Sequence, residues 1–289
     1  VATLQYTEQI KQVIDSRQVL LVITIPSDFE SKLNNNQNSP IQVIVDGRNS
    51  STAVVAGSYL NKIVGQFNQQ KFNSALPISL ETRTWYNPNQ ESRWSLMPSL
   101  IAALSMMQTL LLSALSVARE REQGTFDQLL VTPYTPLQIM IGKALPPIFV
   151  GLMQSTIILL IILFWFKIPM NGSIGLLYFG LLSFNVAIVG VGLSISALSL
   201  NMQQAMLFTF LLIMPLMLLS GLLTPVENMP KALEIATYVN PLRFGINLVQ
   251  RVYLEGANFT QVQFNFIPMI ILGLITLPLA AWLFRNRLS

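Results

Sequence analysis

No charged residue occurs between Lys167 and Glu227. Crossing a hydrocarbon core takes about 20 apolar residues in a helix, so this run is too long for one crossing and right for two. Asn201-Met-Gln-Gln204 divides it. Two further charge-free runs, 95–118 and 144–166, are each long enough to span once. Only 10% of the chain is charged, against about 25% in soluble domains. That deficit cannot cover a water-facing surface, so most of the chain faces lipid. We expect membrane helices at 96–118, 137–166, 174–200, 205–224 and 264–284. Pro146-Pro147 should kink the second of these, with its first part, around Lys143, at the interface.

The polar stretch between the first two spans is built rather than random. It reads Val117-Ala-Arg119-Glu120-Arg121-Glu122-Gln-Gly124-Thr125-Phe126-Asp127-Gln128-Leu129-Leu-Val-Thr132-Pro133. Gly124 ends one helix at low steric cost. Thr125 and Gln128 have capping-box spacing, which starts a new short helix. Asp127 suits the positive end of that helix, and Pro133 stops it. Thr135-Pro136-Leu-Gln138 repeats the start signal, with proline at the first helical position. The expected product is a short helix lying across the bilayer surface.

Glu120-Arg-Glu-Gln-Gly-Thr125, followed by Leu129 and Thr132-Pro133 between two such flanks, resembles the signature of ABC-2 type transporter permeases. The resemblance implies an α-helical polytopic membrane protein of the bacterial inner membrane, with five visible spans of an expected six. It implies that 119–136 is a coupling loop pressed against a separate ATP-binding subunit. The residues carrying that role would be Arg119, Glu120, Arg121, Glu122, Gly124, Thr125, Phe126, Leu129, Thr132 and Pro133. ATP and magnesium would sit on the partner, with no cofactor in this chain. Two copies of the ATPase subunit and a second permease chain, identical or homologous, are the implied partners, with a periplasmic adaptor as a further candidate.

Residues 1–93 have soluble-protein chemistry. Val19 to Ile25 reads as a buried strand, Ile41 to Val45 as a second closed by Asp46-Gly47, and the alternation of Ile78, Leu80, Thr82, Thr84 and Tyr86 as a third. Helices are expected at 7–16, 28–33 and 50–67, giving a small N-terminal α/β domain. Pro26-Ser-Asp-Phe29 and Val45-Asp-Gly47 resemble the extracytoplasmic domain of one branch of these permeases. Val1 opens the chain with no basic leader and no apolar signal core. We expect a first membrane helix and the start of this domain to lie upstream.

The remainder, 94–289, is the expected permease domain. Within it, 221–256 carries charges and is broken by Pro225, Pro230 and Pro241. Its pieces are too short to span, and re-entrant or interfacial helices fit. Ser220-Gly221, Met229-Pro230 and Asn240-Pro241-Leu242 also resemble the segment before the last helix of these permeases. Arg119, Arg121 and Lys143 share one face with Arg285 and Arg287 if all five crossings are real. The positive-inside rule makes that face cytoplasmic and places 1–93 outside.

Several chemistries are excluded. There is no cysteine and no histidine, hence no disulfide, thiolate metal site or imidazole catalysis. Gly142-Lys143 lacks the earlier glycine and following hydroxyl of a phosphate loop. The net charge of +4, with no basic run, makes no case for nucleic acid. Gly172, Gly175, Gly190 and Gly192 read as helix-packing positions. Glu227 and Glu234 read as a solvated face, and Met202, Met206, Met214 and Met217 as packing filler. Phe164, Trp165, Phe166 and Trp282 read as interface anchors. The reading is a non-enzymatic permease subunit of an ATP-driven exporter of drugs, lipids or similar molecules. The alternatives are a channel or ion-gradient-driven carrier, against which the uncharged spans speak, or a membrane-anchored sensor.

Overall fold

The computed structural model describes residues 8–15, 19–35, 37–47, 50–72, 78–85, 92–125, 133–224, 226 and 229–286. Internal contacts divide the chain into two compact units, Val1–Ser95 and Leu96–Ser289.

The first unit holds α1 (Glu8–Asp15), β1 (Leu21–Thr24), α2 (Phe29–Asn34), β2 (Ser39–Asp46), α3 (Ser50–Phe72) and β3 (Ile78–Trp85). The sheet order is β1-β2-β3. β1 pairs antiparallel with β2, Leu21 facing Val45, and β3 runs parallel to β2, Ser39 facing Ile78. A parallel pair needs a crossover, and α3 supplies it. Strand side chains alternate between faces, so β2 feeds two cores. Ile41, Val43 and Val45 pack with Leu33, Ala53 and Ile78, and Ile44 packs with Ile10 and Ile14 on the other side. The expected three strands and three helices are all present, with α3 extending past its expected end.

The second unit holds α4 (Ser92–Glu122), α5 (Pro136–Phe164), α6 (Ile174–Leu198), α7 (Met202–Leu218), α8 (Lys231–Thr237), α9 (Pro241–Glu255) and α10 (Phe259–Asn286). Among the described residues four helices, α4, α5, α6 and α10, are long and apolar enough to cross a membrane. The fifth expected span is α7, with 17 residues. At 1.5 Å per residue it covers about 25 Å, less than a core of about 30 Å. It stops because Ser220 and Gly221 turn the chain, Gly221 taking a positive φ of 87°. The expected interfacial segment holds the two short helices α8 and α9. α5 is one continuous helix with Pro146-Pro147 inside it.

α6 is the central helix. Two expected packing glycines explain its close approaches. A Cβ on Gly190 would lie 2.2 Å from Thr276 Oγ1 of α10, and one on Gly192 would lie 1.8 Å from Ser113 Oγ of α4. Before α6, Gly172 abuts the Val252 carbonyl of α9, whereas Gly175 meets only Ser173. Of the four methionines, Met202 and Met217 are half-buried. Met206 and Met214 lie exposed on the outside of α7, because its buried line is Ala205, Thr209 and Ile213. Phe164, Trp165 and Trp282 are exposed too, as anchors should be.

Candidate functional site

The expected loop begins where α4 runs out. Backbone N–H groups in the last helical turn point back along the chain, leaving carbonyls at the end without partners. Here the Gly124 N–H donates to Arg121 O at 3.1 Å and the Thr125 N–H to Glu120 O at 3.0 Å. These are the paired bonds of a Schellman cap, which needs a left-handed residue at its turn. Gly124 supplies it, at φ 67°. The Thr125 hydroxyl also donates to Glu120 O, at 3.3 Å. Thr125 thus closes the helix behind it. Its expected role in starting a helix ahead involves Gln128, and Phe126, Leu129 and Thr132 likewise lie outside the described residues. Pro133 is exposed. The second start signal is a full capping box. Gln138 N–H donates to Thr135 Oγ1 and Thr135 N–H to Gln138 Oε1, with Pro136 following.

Three consecutive side chains of that last α4 turn grip three different elements. Lys143 of α5 donates to Glu120 Oε1 in an ion pair whose side chains are only 19% and 22% exposed. Arg121 Nη1 donates to Ala197 O at 2.9 Å and Ser199 O at 3.0 Å, at the end of α6. Glu122 Oε2 accepts the Met202 N–H at 2.8 Å, at the start of α7. The signs are right: a cation meets a helix C-terminus and an anion meets a helix N-terminus. One turn earlier, the Val117 and Ala118 N–H groups donate to Ser196 Oγ. Arg119 remains exposed. Between α4 and α5 lies a cleft of about 870 Å³, with Leu112, Leu115, Pro146 and Val150 as apolar wall and Arg119 and Tyr134 at its polar part. Glu120 Oε2 is buried without a hydrogen-bond partner. Val117, Ile139 and Phe284 pack together, so α10 ends at this same end of the bundle.

Two sets of residues here escape a reading of the chain alone. The first is the α6–α7 turn, where Gln204 N–H donates to Asn201 Oδ1 and Leu200 N–H to Gln204 Oε1, both at 2.8 Å. The Asn201–Gln204 spacing was a legible capping signal. The second is a buried cluster in mid-bundle. Ser105 and Thr109 of α4 donate to Asn185 Oδ1 of α6, at 3.0 and 2.8 Å. The i, i+4 spacing of the two hydroxyls was its only sign.

Long apolar helices, tied at one end by charged side chains and in the middle by a small polar cluster, define a multi-pass membrane bundle. The chain belongs to the ABC-2 transporter family, since residues 3–282 match the description "ABC-2 family transporter protein". It is similar to the probable multidrug ABC transporter permease YbhR of Escherichia coli, 40% identical over 99% of this chain and 79% of that protein. It is 30% identical to the inner membrane transport permease YhhJ of the same organism, over 96% of this chain and 75% of that one. The probable multidrug ABC transporter permease YbhS, also of E. coli, is 30% identical over 81% of this chain and 64% of that protein. The chain is therefore the permease subunit of an ABC exporter, and family membership implies association with an ABC ATPase subunit.

Proposed function

We propose that the last turn of α4 and the Gly124 cap are where movement of the ATPase enters the bundle. The observation that carries this is the grip of Glu120, Arg121 and Glu122 on α5, α6 and α7. Force on the loop after Gly124 would reach four helices within one turn of α4. The loop needs only to contact the ATPase differently in its open and closed states to shift the bundle between conformations. Hydrolysis of ATP with magnesium takes place on the partner, in two copies, beneath two permease chains. The names of the E. coli relatives, probable multidrug permeases, support drugs as cargo. Arg121 acts as a strut within the bundle, which leaves Arg119 as the charged contact for the ATPase.

Gly124→Val tests this reading. Its Cβ would meet nothing within 4 Å, so the effect is purely one of backbone conformation. Left-handed geometry costs a side-chain-bearing residue about 1–2 kcal/mol, more when it is β-branched. The spans should insert and the ATPase bind, but ATP hydrolysis in the reconstituted complex should lose its stimulation by substrate. Normal, substrate-stimulated transport would reduce the stretch to an ordinary turn.

The same reading puts the first unit outside the inner membrane, where an adaptor can reach it, and the Gly124 loop in the cytoplasm. The chain lacks cysteine, so single cysteines at Gln37 and Gln123, both exposed, give a direct measurement. In intact cells an impermeant thiol reagent should label Gln37→Cys and spare Gln123→Cys. The reverse pattern would invert the orientation.

A further inference from the structure

The α6–α7 turn carries more order than a connection between helices requires. The Leu200 N–H is taken by Gln204, the Gln204 N–H by Asn201 and the Met202 N–H by Glu122. The Ser199 N–H and hydroxyl both go to Ile195 O, at 3.0 and 2.8 Å. Yet the residue at the tip of this braced turn is a leucine, 63% exposed, with exposed Asn201 and Gln203 beside it.

The height of the turn decides what surrounds Leu200. Arg119, Glu120, Arg121 and Glu122 form the charged end of α4, which cannot lie in hydrocarbon without large cost. Arg121 and Glu122 bind the turn directly, so the turn sits at their level and beyond the acyl chains. It also lies at the same end of the bundle as the Gly124 cap. An apolar side chain presented there on a rigid support suits a protein groove better than lipid, since apolar anchors on preordered backbone carry most of the affinity of an interface.

We propose that residues 199–204 form a second footing for the ATPase subunit, with Leu200 as the anchoring side chain and Arg121 and Glu122 as positioning residues that keep it in step with the α4–α5 loop. This rests on the reading of the α4 end as the coupling site. A hinge at the α4–α5 loop alone would tilt α4 and α5. With both footings yoked by Arg121 and Glu122, the ATPase moves α4 and the α6–α7 junction as one body. Glu122 contributes through its acceptor oxygen on the Met202 amide, and Arg121 through its two carbonyl partners.

The test uses the complete transporter with its ATPase subunits. Single cysteines replace Leu200, Gln203 or Gln123, and Leu223, exposed beyond the far end of α7, serves as control. Each carries a thiol-linked benzophenone and is photolysed. Expected are permease–ATPase adducts from Leu200→Cys, Gln203→Cys and Gln123→Cys, and none from Leu223→Cys. Adducts from Gln123→Cys alone, with Leu200→Cys capturing only lipid, would overturn the second footing and leave the coupling reading standing. Failure of all three would remove both. Leu200→Ser should lower stimulation of ATP hydrolysis by substrate about tenfold, as loss of one anchor does. Glu122→Ala should reduce the Leu200→Cys adduct, and Glu122→Gln, which keeps an acceptor oxygen, should restore it. Equal yields from all three forms of residue 122 would refute the yoke.

Discussion

Gly151→Leu is expected to prevent proper closure of the membrane unit, at a cost of roughly 3 kcal/mol or more. A Cβ at this position would lie 2.1 Å from Thr109 Oγ1, 3.0 Å from Asn185 Oδ1 and 3.3 Å from Ser105 Oγ. Those atoms come from α4 and α6, and none is the far end of a long flexible chain. To admit the side chain, α5 would have to withdraw from both. The hydrogen bonds lost with it include the one from Ser105 Oγ to Gly151 O at 3.1 Å. Gly142→Leu in the same helix is the matched control, because nothing lies within 4 Å of its Cβ. The measurement is the thermal unfolding midpoint of the purified permease in mild detergent. Equal midpoints for the two variants would mean that α4, α5 and α6 do not meet at Gly151.

Magnitude is the reason to test the cluster by sterics. Hydrogen bonds between membrane helices average only about 0.6 kcal/mol. Each hydroxyl has one proton and two acceptors in reach, Ser105 between Gly151 O and Asn185 Oδ1, and Thr109 between Pro147 O and Asn185 Oδ1. Asn185 Nδ2 is buried without a partner. Turning the amide over would set Nδ2 against both hydroxyl oxygens and free both protons for the α5 carbonyls. The Pro147 carbonyl would then hold α4 to α5 at the proline pair.

The second large effect is expected at the ion pair. Lys143→Met should destabilise the membrane unit by about 2 kcal/mol, below the roughly 3–5 kcal/mol of a fully buried pair because both side chains keep about a fifth of their exposure. The loss comes from Glu120, left charged and enclosed with its second oxygen already unpartnered. Adding Glu120→Gln to the variant removes that charge, so the double variant should recover most of the stability. A double variant no more stable than the single one would show that the carboxylate is solvated and the pair is ornamental. Methionine keeps the length of the lysine stem along the cleft wall, which separates loss of charge from loss of packing.

Much of this arrangement was legible in the chain because its signals are local. All four long spans begin and end within five residues of expectation, since hydropathy and length alone mark a membrane helix. The left-handed Gly124 and the Thr135–Gln138 capping box were readable because a cap involves only neighbours in sequence. The shortness of α7 was not, because an apolar run continues past Leu218 while the backbone turns at Ser220 and Gly221. The inward bonds of Arg121 were illegible for a related reason. A cation in a polar loop looks like a contact for a partner, and only the position of the Ala197 and Ser199 carbonyls turns it inward.

By itself the sequence determined that this protein spans a membrane, where its four long spans lie, how the Gly124 and Thr135 ends are capped and which end collects the charges. These follow from transfer free energy and backbone geometry, which each segment carries wherever it is placed. The tertiary structure decided what meets what. Gly192 faces Ser113, Gly151 faces Thr109 and Asn185, and Glu120, Arg121 and Glu122 divide their bonds among three helices. Such pairings depend on crossing angle and rotation about each helix axis, set by close packing of every neighbour at once. In an apolar solvent nearly every face of a span is equally oily, so periodicity cannot say which face turns inward.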